Sequence, residues 1–169
     1  GTLTGFRASL IRALHARGGR VLALAPNFDE TSRAAVRMLG ADPIDSPMAR
    51  TGMNPLVDAL NTWRLTRLLR RLRPAVTLSY MAKPVVFGSI AAKLAGVPHR
   101  VAMVEGLGYV FTAGAHGFTR KQRILQRVVL GLYRVGIACA QRVIFLNPDD
   151  RAELQTAGVV AGRKNLVFG

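Results

Sequence analysis

Cysteine, histidine and acidic side chains are all scarce in this sequence, and each shortage narrows what the protein can do. Cys139 is the single cysteine, so no internal disulfide and no thiolate metal cluster can form. It lies in the apolar run 135–140, which favours a buried, inert thiol over a reactive one. That pattern fits a reducing cytoplasm. The three histidines, His15, His99 and His116, are scattered along the chain and make no metal site, so no metal is expected. Aromatic residues are only 7% of the chain, and neither an RRM-type aromatic motif nor a helix-turn-helix pattern is visible. Both facts count against RNA or DNA as the partner. No signal-peptide pattern opens the sequence, and no apolar run approaches the roughly 18 residues of a membrane span. Membrane contact is therefore expected to be peripheral.

Nine Asp+Glu stand against twenty-four Lys+Arg, a formal charge of +15 and a pI near 11.6. Such a field favours phosphate-rich partners: nucleic acid, an anionic membrane face, or a substrate carrying a diphosphate. Only Lys83, Lys93, Lys121 and Lys164 are lysines. In a chain this rich in Ala and Gly, so much arginine also has a bland reading, a GC-rich genome. Half of the 169 residues are hydrophobic, enough to bury a full core and to exclude disorder. The length suits one domain.

Helical periodicity alternates with short apolar runs, the pattern of a parallel sheet with helices on both faces. Helices are expected over 6–17, 30–39, 54–73, 83–95, 119–139 and 147–158. The strands between them fall at 20–25, 41–44, 75–80, 100–104, 142–146 and 165–168. In the first helix Leu10, Ile11 and Leu14 share the helical spacing. In the third, the apolar members are Leu56, Leu60, Trp63, Leu65 and Leu68. The opening GTLTG reads as the loop after a strand that is not there, and the chain stops as a last strand would hand over. Both ends read as cuts, so a first strand and a further domain are expected to be missing.

The stretch GTLTGFRASLIRALHARGGRVLALAP resembles the glycine-containing loop, first helix and second strand of family 4 glycosyltransferases. More specific is YMAKPVVFGSIAAKLAGVPHRVAMVEGLGYVF. It is similar to a signature of bacterial enzymes that add N-acetylhexosamine units to lipid-linked glycans, and RVIFLNPDDRAEL is similar to the segment that follows there. The resemblance covers nearly the whole chain but only the first half of such an enzyme. It implies the N-terminal, acceptor-side Rossmann-like domain of a two-domain, retaining GT-B transferase. The donor, a nucleotide sugar expected to be UDP-linked, would be held mainly by the missing C-terminal domain, and no cofactor is needed. Implied partners are a glycan or polyprenyl-diphosphate-linked acceptor and the anionic inner face of a bacterial plasma membrane, with the protein cytoplasmic and peripheral. No nucleic acid is expected.

Several residues carry the candidate chemistry. Gly5 and Arg7 stand at the start of the first helix, where backbone N–H groups and the helix end attract phosphate; the other reading is a plain β–α turn. The dinucleotide fingerprint G-x-G-x-x-G is incomplete, which counts against an NAD- or flavin-linked enzyme. Lys83 and Pro84 follow a strand at its C-terminal end, where open α/β sheets place ligand contacts. Lys83 is either a cation aimed into that crevice or a solvated lysine ahead of a helix-starting proline. After the next strand come Glu105, Gly106, Gly108 and Tyr109. The glycines allow a close-approaching backbone, while Tyr109 and Phe111 can stack on a sugar or line a lipid groove. Glu105 can orient or deprotonate an acceptor hydroxyl, or be an exposed loop acid. His116, in a glycine-containing segment, can touch phosphate or be solvated. Arg120, Arg123, Arg127 and Arg134 form one stripe of the fifth helix, facing membrane or phosphate, or simply a charged solvated face. Arg64, Arg67, Arg70, Arg71 and Arg73 make a second basic surface. Two rival functions remain: a stand-alone membrane- or acceptor-binding subunit of a split transferase, and a basic α/β nucleic-acid-binding domain.

Overall fold

A computed structural model describes residues 5, 7–48, 54–107, 111 and 119–160, together with the backbone of 165–167. The chain is α/β, with parallel strands and helices on both sides, a Rossmann-like arrangement. It divides into two compact units, Gly1–Asn54 and Pro55–Gly169.

In the first unit α1 (Ala8–Ala16), β1 (Val21–Ala25), α2 (Glu30–Met38) and β2 (Ala41–Asp45) follow one another. β1 and β2 pair in parallel, Val21 opposite Ala41. Asp29 caps α2 through a reciprocal bond pair with Ser32, which satisfies amides that the first helical turn leaves open. Gly40 takes φ +86° to end the helix. The core is small: Ile11, Val36, Leu39 and a few alanines. Of the expected apolar face of α1, Ile11 is buried while Leu10 and Leu14 are exposed. Position 11 shares its inward side with Ala8, one turn earlier, and the other two lie beside it.

The second unit runs α3 (Pro55–Leu72), β3 (Val76–Tyr80), a π-helical turn (Pro84–Gly88), α4 (Ser89–Leu94), β4 (His99–Val104), α5 (Arg120–Cys139), β5 (Arg142–Phe145), α6 (Pro148–Thr156) and β6 (Asn165–Val167). The strands lie in chain order β3-β4-β5-β6, all parallel, so their C-terminal ends share one edge. Val85, Val104, Ile137, Val143, Phe145 and Leu154 are at the heart of this unit's core. α5 begins at a Thr119–Gln122 capping box and crosses the π-helical turn at Gly136. A Cβ there would lie 2.5 Å from the Val86 Cα, so glycine is what lets the two backbones approach.

α3 corrects the sequence reading most sharply. Of its expected apolar members only Leu65 is buried; Leu56, Leu60 and Trp63 are exposed. The inward side is polar: Asp58, Asn61, Thr62 and Thr66 are buried beside Leu65 and Leu69. The physical reason is placement, because α3 packs on α4 and the π-helical turn. Thr62 and Thr66 direct their hydroxyls to the carbonyls of Asp58 and Thr62, and Asp58 binds a lysine across the contact.

Candidate functional site

The adjacent strands β3 and β4, in register Tyr80 opposite Met103, deliver the segments 81–83 and 105–107 to the same sheet edge. Lys83 and Glu105, both candidates in the sequence, thus follow neighbouring strand ends.

Backbone geometry changes abruptly beyond Tyr80. Met81 adopts φ +68°, a left-handed conformation that costs a non-glycine residue roughly 1 kcal/mol or more. The chain then enters the π-helical turn, with Pro84 at its start. π turns inside helices recur at functional positions. The helix expected over 83–95 is one helical run from 82 to 94 whose stretch Pro84–Gly88 is wound as a π turn; that turn meets α5 at Gly136 and Ser79 at Gly88, where a Cβ would stand 3.1 Å from the Ser79 Oγ.

Lys83 is not the solvated lysine of one of its two sequence readings. Its ammonium donates to the Asp58 carboxylate at 2.7 Å, with side-chain exposures of 14% and 5%. An ion pair so withdrawn from water is expensive to break by removing one partner. Lys83 still has further N–H donors, and its position at the end of β3 leaves it at the rim. Pro84 is half-buried.

Next door, Val104 accepts a backbone bond from Leu146, and the chain passes through exposed Glu105 and Gly106 to buried Leu107. Among the described residues nothing lies within 4 Å of a Cβ built on Gly106, and its φ is not left-handed. Neither crowding by the described residues nor a left-handed backbone demands glycine there. Gly108, Tyr109 and His116 lie outside the described residues. Phe111 is partly buried and packs against the core.

The sequence reading missed what anchors this loop. The Asp150 carboxylate accepts from the Asn147 amide at 2.9 Å, and the backbone N–H of Leu107 beside it favours its ionised form. Asn147 in turn caps α6 by accepting from the Asp150 N–H at 2.9 Å. Burial raises the Asp150 pKa above its usual 3.8, the Leu107 N–H partly offsets this, and neighbouring Asp149 adds to the rise. Beneath lies Tyr133, its pKa pushed up to about 12, first by burial and then by the Asp150 charge. The Asn-Pro-Asp-Asp run signalled a helix start. Only the folded chain shows that the fourth residue reaches back to the loop after β4.

In the first unit, Arg7 occupies the N-cap position of α1 without a side-chain cap bond, and the Gly5 carbonyl accepts from the Ala8 amide at 3.4 Å. On α5, Arg120, Arg123 and Arg127 are exposed as expected. Arg134 is also exposed, but its guanidinium donates to the Ala157 carbonyl at 2.7 Å, so it closes the end of α6. Ile124 and Val128 of the same helix are exposed as well. Among the described residues no three His, Cys, Asp or Glu side chains converge as a metal site, and no described helix is long and apolar enough to cross a membrane.

These features define a Rossmann-like domain that gathers a strained turn, a buried ion pair and an anchored glycine loop at the ends of parallel strands. Its residues 4–167 match the glycosyl transferase 4-like domain, and the chain belongs to that family. It is 31% identical over 154 residues to N,N'-diacetylbacillosaminyl-diphospho-undecaprenol alpha-1,3-N-acetylgalactosaminyltransferase of Campylobacter jejuni. That match covers 91% of this chain and 39% of the relative.

Proposed function

We propose that this chain is the acceptor-side half of a retaining glycosyltransferase that moves an N-acetylhexosamine from a nucleotide sugar to a polyprenyl-diphosphate-linked acceptor. The observation that carries it is the shared edge of β3 and β4, which holds Lys83 and the glycine loop together in a chain of this family. The relative's name, an N-acetylgalactosaminyltransferase acting on a diphospho-undecaprenol-linked sugar, supports the substrate class.

In this reading the Lys83 ammonium, oriented by Asp58, supplies a positive charge to the acceptor diphosphate. Gly106 and Gly108 let the acceptor approach the backbone, Tyr109 offers a sugar-stacking face, and His116 contacts phosphate; in the first unit, Arg7 with Gly5 is a phosphate contact of its own. Glu105 orients the accepting hydroxyl. A UDP-linked donor is bound mainly by a second domain. Arg120, Arg123 and Arg127 face the anionic inner leaflet of a bacterial membrane. The test is sugar transfer by the full-length protein across UDP-sugars and lipid-diphosphate-linked acceptors. Transfer of a UDP-linked N-acetylhexosamine with retained anomeric configuration supports the reading; transfer only to soluble glycans, or inversion, overturns it.

A further inference from the structure

α3 is folded inside out. At about 100° per residue, Leu56, Leu60, Trp63, Arg67 and Arg71 fall within a sector of about 80°, and this is the outward side. Leu56 is 83% exposed and Trp63 54%. Water penalises such a strip, because each Å² of exposed apolar surface costs about 25 cal/mol relative to burial. The usual remedy, turning the helix over, is closed to α3. Its opposite side carries Asp58 locked to Lys83 and two threonines bonded into the helix.

The outward side has a second character. Its first turns are apolar and its later turns basic, with Arg64, Arg67 and Arg71 exposed and the Arg67 guanidinium over the Trp63 ring, 4.8 Å from its centroid. Asp58 is the only acid of the helix, and it is buried. Whatever covers this face must therefore offer an apolar layer and anions side by side. A nucleic acid supplies the phosphates but no layer for Leu56 and Leu60. A bilayer with anionic headgroups supplies both, and tryptophan with arginine is the pairing that settles at its boundary.

We infer that α3 lies flat on an anionic lipid bilayer, with Leu56, Leu60 and Trp63 among the upper acyl carbons and Arg64, Arg67 and Arg71 on headgroup phosphates. This deepens the lipid-linked acceptor reading and rests on it. It adds α3 to the docking surface, in addition to the α5 stripe that the sequence reads as facing membrane or phosphate, or as a charged solvated face.

Trp63 is the single tryptophan of the 169 residues, so its fluorescence reports on this face alone. The protein is mixed with vesicles of phosphatidylcholine alone or with phosphatidylglycerol, carrying bromine-labelled acyl chains. The expected result is a blue shift and quenching with phosphatidylglycerol only, weakened by added salt. Leu60→Glu and Arg67→Glu, each checked for an unchanged far-UV circular dichroism spectrum, should each weaken vesicle binding about tenfold. Arg123→Glu on α5 should have the smaller effect. Vesicle binding with unaltered Trp63 emission overturns the inference while leaving a lipid-linked acceptor in place. No binding to anionic vesicles overturns it together with the membrane part of the functional reading, and sugar transfer then decides whether the activity survives. Emission changes with oligonucleotide or acidic protein, but with no vesicle, reject the bilayer as occupant.

Discussion

At the residue scale, the buried pair of Lys83 and Asp58 makes the firmest demand. Asp58→Asn leaves an ammonium without its counter-charge, and about 3 kcal/mol of stability should be lost. Replacing both residues by similar-sized apolar ones, Asp58→Leu with Lys83→Met, should recover most of it, as denaturant titration of the three variants will show. Asp150 makes a different demand. Its raised pKa means that the folded state holds the proton more tightly than the unfolded one. The ionised carboxylate therefore costs stability above the folded pKa, and the cost is relieved as pH falls through that value toward 3.8. Measured at about pH 7 and again at about pH 4, the protein should gain stability relative to Asp150→Asn on acidification. The comparison must be between these two proteins, because Asp29, held low by the Ser32 amide, and Asp45, held low by Arg33, pull the other way. Gly106→Ala should leave stability within about 0.5 kcal/mol, since nothing within the described chain crowds a Cβ there. It should nevertheless weaken acceptor binding if the acceptor meets that backbone, which binding measurements with a lipid-diphosphate-linked sugar would reveal.

At the scale of elements, the crossing of α5 over the π-helical turn depends on Gly136. Gly136→Ala forces a methyl against the Val86 backbone and should cost about 1–3 kcal/mol, read as a lowered unfolding midpoint. Gly131→Ala, on the open side of the same helix, should instead be neutral or mildly stabilising. Element positions were largely legible in the sequence: β1, β3 and β5 fall within the expected 20–25, 75–80 and 142–146, because alternation of helical periods and short apolar runs reports a parallel sheet directly. Which side of a helix faces inward was less legible. Periodicity marks a stripe but not what lies against it. For α3 the neighbours are a helix and a π turn carrying Lys83, so polar residues won the interior. The π turn and Met81's left-handed backbone had no signal at all, since Pro84 and Val85 suit an ordinary helix start. Asp150 was legible as a cap and illegible as an anchor, because the loop it holds lies more than forty residues away.

At the scale of the whole molecule, a charge of +15 leaves exposed acids such as Glu30, Asp42, Asp45 and Glu153 far outnumbered, while Asp58 is spent inside on Lys83. The surface field is thus strongly positive, and it draws anions to a domain whose strand ends gather the candidate contacts. The central claim is that this edge, Met81 to Lys83 beside Glu105 to Leu107, is where a lipid-diphosphate-linked acceptor binds. Amide hydrogen exchange with and without a polyprenyl-diphosphate-linked sugar tests it most directly. The account predicts slowed exchange at 81–83 and 105–107, lost in Lys83→Ala and not reproduced by an oligonucleotide of equal charge. Protection confined to other segments, or equal protection by the oligonucleotide, would contradict it.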